Sequence, residues 1–519
     1  MTDYDAIVIG AGHNGLICAS YLARAKHTVL VIDARPVPGG CASTREFAED
    51  YRVSDCAQWL SQLDKTVVSD LQLSGAGLVL SHPKSTISLQ PDASHVIFDG
   101  DTVIGATISN EDVTDYRSFR SLMRRFAKVL ATLYNGRPPK LVEKSWTDRI
   151  TLLKLGLGLK MLGKSHMQDL MRLALINIYD VMNEYFKHPA LKSAIALDAI
   201  TGSTMGPRSP NTVFSYLHKA TGEFLSESGT RQVIGGMGAL GSALASSAEA
   251  AGVEIKLGCK VKAVKKTGHA VSGVELIDGT LLSSNIVVSS ADPTTTFKSM
   301  LGYAQMEAGM AKRAELYRNR CGTAKLHIAL KALPTFTGLN HAQLSQRLII
   351  APPMDDMETA LNPMKYSEIS DQHLFDISIP SIDDPSLSPE GHHVLSALVH
   401  YVPFSPKVGW DEARHSLTDQ LIDEISAYAP DLKSLIIASE LVTPADFERT
   451  HHVTGGSWHH GELSIDQALM MRPFPGSTQY KTAVEGLYVC GAGAHPGGGL
   501  LGWPGRNAAK EIIKGGALA

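Results

Sequence analysis

The run Gly10-Ala11-Gly12-His13-Asn14-Gly15, with an acid, Asp33, 23 residues after Gly10, has the residue types and spacing to hold a dinucleotide. Gly10 permits a tight turn, Gly12 lets a diphosphate approach the backbone, and Gly15 lets a helix lie close on the strand before it. Asn14 shares the turn, and Asp33 can accept hydrogen bonds from ribose hydroxyls. Asp33-Ala34-Arg35 is followed by Gly39-Gly40-Cys41-Ala42. A second glycine pair so soon after the acid carries a chain along the diphosphate and ribityl side of FAD, whereas NAD domains usually proceed to another helix. These residues therefore point to FAD.

The elements that must position them are legible around the glycines. Residues 5–10 form a continuous apolar run of the kind that makes a buried parallel strand; 16–24 have helical spacing, and 28–32 form a second strand ending at Asp33. Residues 236–241 repeat the glycine spacing, but the strand predicted over 253–257 ends in Leu257-Gly258 with no acid. That copy reads as a turn packing a helix on a strand, not as a second nucleotide site. Strands with hairpin punctuation at Asp278-Gly279 follow.

Near the C-terminus Gly491-Ala492-Gly493-Ala494-His495-Pro496-Gly497-Gly498-Gly499-Leu500 leads through Gly502 and Trp503 to a helix predicted over 504–513 that carries Asn507. A glycine loop at a helix N-terminus offers N–H groups to an anion or a polar ring edge. The opening Gly-Ala-Gly-His-Asn-Gly-Leu, this closing loop with Pro504-Gly505-Arg506-Asn507, and the stretch from Gly455 through His460-Gly461-Glu462 to Arg472-Pro473 resemble the phytoene-desaturase-like flavoproteins, in the branch of the bacterial relatives of pyridine nucleotide-disulfide oxidoreductase domain-containing protein 2. The resemblance implies an α/β fold with a doubly wound, Rossmann-type FAD domain of the amine oxidase/phytoene desaturase type. That domain is discontinuous (1–75, 226–300 and 480–519) and carries an α+β substrate domain (76–225 and 301–479).

It also implies that Gly10, Gly12, Asn14, Gly15, Asp33, Ala34, Arg35, Gly39, Gly40, Cys41, Ala42, Val261, Gly491, Ala492, Gly499, Leu500, Gly502, Trp503 and Asn507 surround FAD, with the Val261 backbone at the adenine. The chain departs from the pattern at Ala494, Gly498 and Trp503. Trp503 either narrows a substrate channel beside the flavin, against a C40 substrate, or packs as an ordinary helix cap. His460 either faces flavin and substrate or makes structural hydrogen bonds. Four histidines, His451, His452, His459 and His460, have only Glu462 as a nearby acidic partner, and no metal is expected.

The implied activity is hydride removal from a fairly apolar organic substrate, leaving C=C or C=N, with oxygen or quinone as electron acceptor. The alternatives are an amine or alcohol oxidase releasing peroxide, and a flavin-stabilised interaction protein without turnover.

Composition narrows the field. With 48 basic and 52 acidic side chains in 519 residues the net charge is −4, which excludes a polyanion binder as the default. At 44% hydrophobic and 19% charged the chain has material for a large packed interior. Its six cysteines contain no C-x-x-C pair, which argues against a disulfide framework and against a flavin disulfide reductase. No apolar run reaches the ~18 residues of a spanning helix, and the start has no secretory pattern; a cytoplasmic protein is expected. Residues 152–162 mix leucines with Lys154 and Lys160, so they either lie on a membrane surface or pack internally. Self-association stays open.

Overall fold

A computed structural model of the chain describes residues 3–140, 142, 145–226 and 229–516. The apolar runs become a five-stranded, wholly parallel sheet whose strands lie in the order Leu487–Val489, Val287–Ser289, Ala6–Ile9, Val29–Ile32, Glu254–Lys256. Ile7 pairs with Leu30 on one side and Val287 on the other. Every residue of the first two strands is buried, because helices cover both faces. Each buried Val, Leu or Ile there contributes about 1.5–3 kcal/mol. The helix His13–Arg24 packs against Trp503–Lys514 and Gly238–Ala250, so widely separated segments share one core. A three-stranded antiparallel sheet (Val261–Thr267, Ala270–Leu276, Leu281–Ser283) turns at Asp278-Gly279.

The second glycine run makes a packing turn. Gly238 N–H donates to Thr44 Oγ1 at 2.8 Å, and a Cβ on Gly241 would stand 2.7 Å from the Gly39 Cα. Its glycines let Gly238–Ala250 press on the segment after Asp33.

An eight-stranded sheet, antiparallel except where Arg347–Ile350 meets Thr86–Ser88, is built from residues 86–104 and 323–442. Its strand Thr323–Leu330 sets Thr323, Lys325 and His327 on alternate positions, and His393–His400 carries Ser396 and His400 among apolar residues, yet nearly every position of both is buried. Lys325 shows why: its Nζ donates to the carbonyls of Ser54 (2.6 Å) and Cys56 (3.1 Å), so the polar face meets protein rather than water. Helices Asn110–Tyr134, Ile178–Tyr185, Pro189–Ile200 and Thr212–Ser226 enclose a further apolar core. The helix Asn110–Tyr134 begins where Ser109 Oγ caps the Asp112 N–H.

Candidate cofactor and active site

The first strand ends at Gly10, with φ +100°, and Gly12 caps the following helix with no side chain satisfying its free N–H groups. Those groups and the positive helix end suit a diphosphate. A Cβ built on Gly12 would have no protein atom nearer than 3.9 Å, whereas one on Gly15 would sit 2.0 Å from the Gly10 carbonyl oxygen. Gly12 thus leaves space for a ligand and Gly15 leaves space for the protein. Asp33 accepts from the Ala11 N–H (2.6 Å) and the Arg35 N–H (2.8 Å), which fixes its carboxylate at the turn.

An outer cleft of about 670 Å³ opens here, lined by Gly10, Gly12, Asn14, Asp33, Ala34, Gly40, Cys41, Val261 and Ala492. Asn14 Oδ1, His13 Nε2 and His460 Nδ1 are buried on it without protein partners, so polar atoms await a ligand. Arg35 and Gly39 stand behind the wall: Arg35 Nη1 donates to the Gly40 carbonyl at 2.6 Å, and Gly39 N–H donates to the Ala11 carbonyl at 2.8 Å. Ala42 is fully buried in the core.

The C-terminal loop contributes to a smaller inner cavity of about 180 Å³, lined by Gly499, Leu500 and Ala492 among others. His13, Cys41, Trp458 and Ala492 line both spaces, so the two join. Leu500 (φ +60°) and His460 (φ +55°) are held in the left-handed region, a strain of about 1–3 kcal/mol each that is typical of site residues. Gly491 and Gly502 are packing positions: their Cβ atoms would meet the Ser290 carbonyl oxygen at 2.3 Å and Ile17 Cδ1 at 3.1 Å.

Asn507 and Trp503 lie away from both spaces. Asn507 Nδ2 donates to the Tyr134 carbonyl (2.8 Å) and the Tyr480 hydroxyl (3.0 Å). Trp503 sits in the helical core, edge-on to Tyr134 with ring centroids 5.7 Å apart. It lines neither space; the helix begins at that residue and turns the indole inward.

Histidines dominate the inner walls. His218 donates from Nε2 to the Gly498 carbonyl (2.8 Å) and accepts at Nδ1 from the Tyr134 hydroxyl (2.9 Å), the pattern of a neutral ring. Burial draws it down to about 4 and His459 to about 3. Burial, then the nearby His460, draws His13 to about 3. Burial lowers His460 as well. The His459–His460 loop is anchored by fully buried Arg472, which donates to the carbonyls of His459, Glu462, Gln467 and Ala492, and by the Tyr317 hydroxyl on the His460 carbonyl at 2.8 Å. His451 and His452 line the outer cleft instead, His451 standing 3.0 Å from Asp55. Among the described residues no three metal-ligating side chains converge.

The far wall carries charges that sequence spacing does not reveal. Arg347 pairs with Asp376 and Asp198, each at 2.8 Å; Lys219 pairs with Asp198 at 2.5 Å, and Trp59 Nε1 donates to Asp376 at 2.8 Å. All five residues line the inner cavity.

A diphosphate turn at one end of the chain and a glycine loop at the other, meeting across joined cavities, define an FAD-dependent oxidoreductase of the amine oxidase/phytoene desaturase fold. Residues 8–71 match the family model described as an NAD(P)-binding Rossmann-like domain. The chain is 31% identical to the rat pyridine nucleotide-disulfide oxidoreductase domain-containing protein 2, across 99% of this chain and 94% of that one. It is 24% identical to a lycopene-forming phytoene desaturase of a Paracoccus species, across 96% and 94%. Cyclohexylamine oxidase from Brevibacterium oxydans shares the fold across 99% of each chain, with a TM-score of 0.59 at 12% identity. The chain therefore belongs to the phytoene-desaturase-like family of FAD oxidoreductases, together with pyridine nucleotide-disulfide oxidoreductase domain-containing protein 2.

Proposed function

We propose that this enzyme removes hydride from a compact, largely apolar organic substrate bound in the inner cavity, leaving a C=C or C=N bond. The joining of the two cavities at His13, Cys41, Trp458 and Ala492 carries this reading, since it lets a cofactor held in the outer cleft meet a substrate held in the inner one. The unit built on the parallel sheet (1–75, 226–300 and 480–519) holds FAD and the remainder presents the substrate. Gly12 and the free helix N–H groups take the diphosphate, Asp33 the ribose, Val261 the adenine side, and Gly499 and Leu500 the ring system. FAD, when bound, supplies the two-electron acceptor.

The chain's own residues orient and desolvate. His13, His459 and His460 present neutral rings, able to accept a hydrogen bond from, or donate one to, a polar end of the substrate without taking up charge. Trp458, Leu398, Leu463 and Leu500 exclude water. The Asp198–Lys219–Arg347–Asp376 wall offers hydrogen bonds to a polar end of the substrate. A volume of about 180 Å³ lies below the ~300–1,000 Å³ of usual ligand sites, which favours a small donor over a long polyene. Anaerobic mixing of the flavin-loaded protein with small terpenoid, alcohol and amine donors tests this. Bleaching of the visible flavin absorbance by a compact donor is expected; bleaching by a C40 polyene alone would contradict it. Peroxide formed stoichiometrically with an amine would select the oxidase alternative.

A second reading concerns location. Helix Trp146–Met161 turns Leu155 and Leu159 inward but exposes Trp146, Ile150, Leu153, Leu157 and Met161, the first, third and last at 77%, 74% and 79%. These residues recur every three or four positions and so form one stripe. Arg149, Lys154, Lys160 and Lys164 flank it, all exposed. No helix among the described residues is long and apolar enough to cross a membrane. The stripe fits attachment to an anionic bilayer surface, apolar side down.

A further inference from the structure

Cys41 and Cys56 lie fifteen residues apart in sequence and side by side in the fold. They flank the hairpin Thr44–Ala48/Tyr51–Ser54, and backbone bonds join the flanking segments: Ala57 N–H donates to the Cys41 carbonyl and Asp55 N–H to the Ser43 carbonyl, both at 2.9 Å. The two residues pack in one cluster with Val442, Phe447, Val453 and Trp458, and their thiols are close enough to couple. Both line the inner cavity, and Cys41 lines the outer cleft as well. The charged and titratable groups around them are Arg35, Asp55, His451, Lys325 and the buried thiol of Cys321. Lys325 Nζ donates to the Cys56 carbonyl. The chain holds a contrasting pair: Cys18 and Cys490, also close enough to couple, are fully buried in the sheet core and line neither cavity.

We propose that Cys41 and Cys56 form a redox-active dithiol/disulfide pair that exchanges two electrons with the FAD site, resting on the cofactor reading above. In the oxidising direction two S–H bonds break, one S–S bond forms, and two protons and two electrons convert FAD to FADH₂; the reverse step regenerates both thiols. A thiolate is the attacking species in such chemistry. The neighbouring Cys56 thiol, aided by the positive charge of His451 and Arg35 and opposed by burial, brings Cys41 down to about 7. Cys56 is pushed up, by the Cys41 thiol and by burial. One thiol is thus poised as nucleophile and the other as proton donor. A disulfide-exchanging function needs no C-x-x-C spacing when a hairpin brings distant cysteines together, and Cys41 stands where both ligands would pass.

The test starts the flavin-loaded protein anaerobically from two states: reduced thiols with oxidised flavin, and diamide-oxidised thiols with photoreduced flavin. Free thiols are trapped with N-ethylmaleimide and located by peptide mass spectrometry, alongside the visible flavin absorbance. The expected result is convergence on one mixture, with two thiols lost per flavin reduced, all of it in the Cys41–Cys56 peptides and none at Cys18 or Cys490. Cys56→Ser should abolish the exchange, keep flavin content unchanged, and give a long-wavelength thiolate-to-flavin absorbance that fades on acidification. Should Cys56→Ser fail to fold, Cys56→Ala replaces it for the thiol count. A yellow protein whose thiol count never changes from either state overturns this proposal alone. A protein that takes up no flavin overturns the cofactor reading and this proposal with it.

Discussion

Gly12 and Gly15 carry the same residue type for opposite reasons, and that difference is measurable. A side chain at Gly12 points into space bounded only by Gly40 Cα at 3.9 Å and Ser290 Oγ at 4.0 Å, so Gly12→Val should fold but bind FAD at least about 100-fold more weakly, on the order of 3 kcal/mol. A Cβ at Gly15 collides with the Gly10 carbonyl, so Gly15→Ala should lower the urea midpoint before any ligand is considered. Flavin titration and urea unfolding of both variants separate the two roles; equal flavin affinity in Gly12→Val and wild type would refute the assignment. At this scale the glycines are legible in the sequence because each does its work within a few residues of itself. His13 is not, although it sits inside the same motif, since the motif's signal lies in its glycines and not in the side chain at the first helical position. Cys41 and Cys56 are illegible as a pair because their separation matches no C-x-x-C spacing. Asp198, Lys219, Arg347 and Asp376 come from four distant segments, and no local spacing encodes their meeting.

Elements are legible where burial is simple and less so where it is two-sided. The opening strand, helix and second strand fall where the apolar runs place them, because each is covered symmetrically in a parallel sheet. Gly163–Leu173 and Ile178–Tyr185 are two helices rather than one, because Asn177 caps the second by accepting from the Asp180 N–H. Trp503 shows the limit of adjacency: it follows the glycine loop in sequence, yet a helix starting there rotates it about 100° per residue onto Tyr134. The segment 152–162, divided in sequence between membrane and interior, packs Leu155 and Leu159 inward and leaves Leu153, Leu157 and Met161 exposed. This predicts that the protein co-sediments with vesicles containing phosphatidylglycerol, less so with pure phosphatidylcholine, and that Trp146→Ser with Leu153→Ser reduces the bound fraction at least about tenfold, roughly 1.4 kcal/mol. Equal sedimentation of the double variant would dismiss the docking role of this helix.

For the molecule as a whole, neutral buried histidines couple folding to pH. His13 and His459 sit at about 3 and His218 at about 4, against about 6.5 in the unfolded chain. Below pH 6.5 the unfolded state therefore binds protons that the folded state refuses. Stability is full above about 6.5 and falls as pH drops toward 4, by up to about 2 kcal/mol per histidine at pH 5. Urea midpoints at pH 7 and pH 5 should differ accordingly, and His459→Gln should flatten the decline; a midpoint unchanged between those values would mean that these rings are not held neutral.

The same long-range closure that buries the histidines joins the two ends of the chain, and everything proposed for function depends on one molecule occupying that junction. Stoichiometric FAD titration of the purified chain, followed by visible absorbance and by quenching of flavin fluorescence, tests it most directly. The expected outcome is a yellow complex with one FAD per chain, lost in Gly12→Val. Protein that stays colourless and leaves added FAD free in solution would contradict the account.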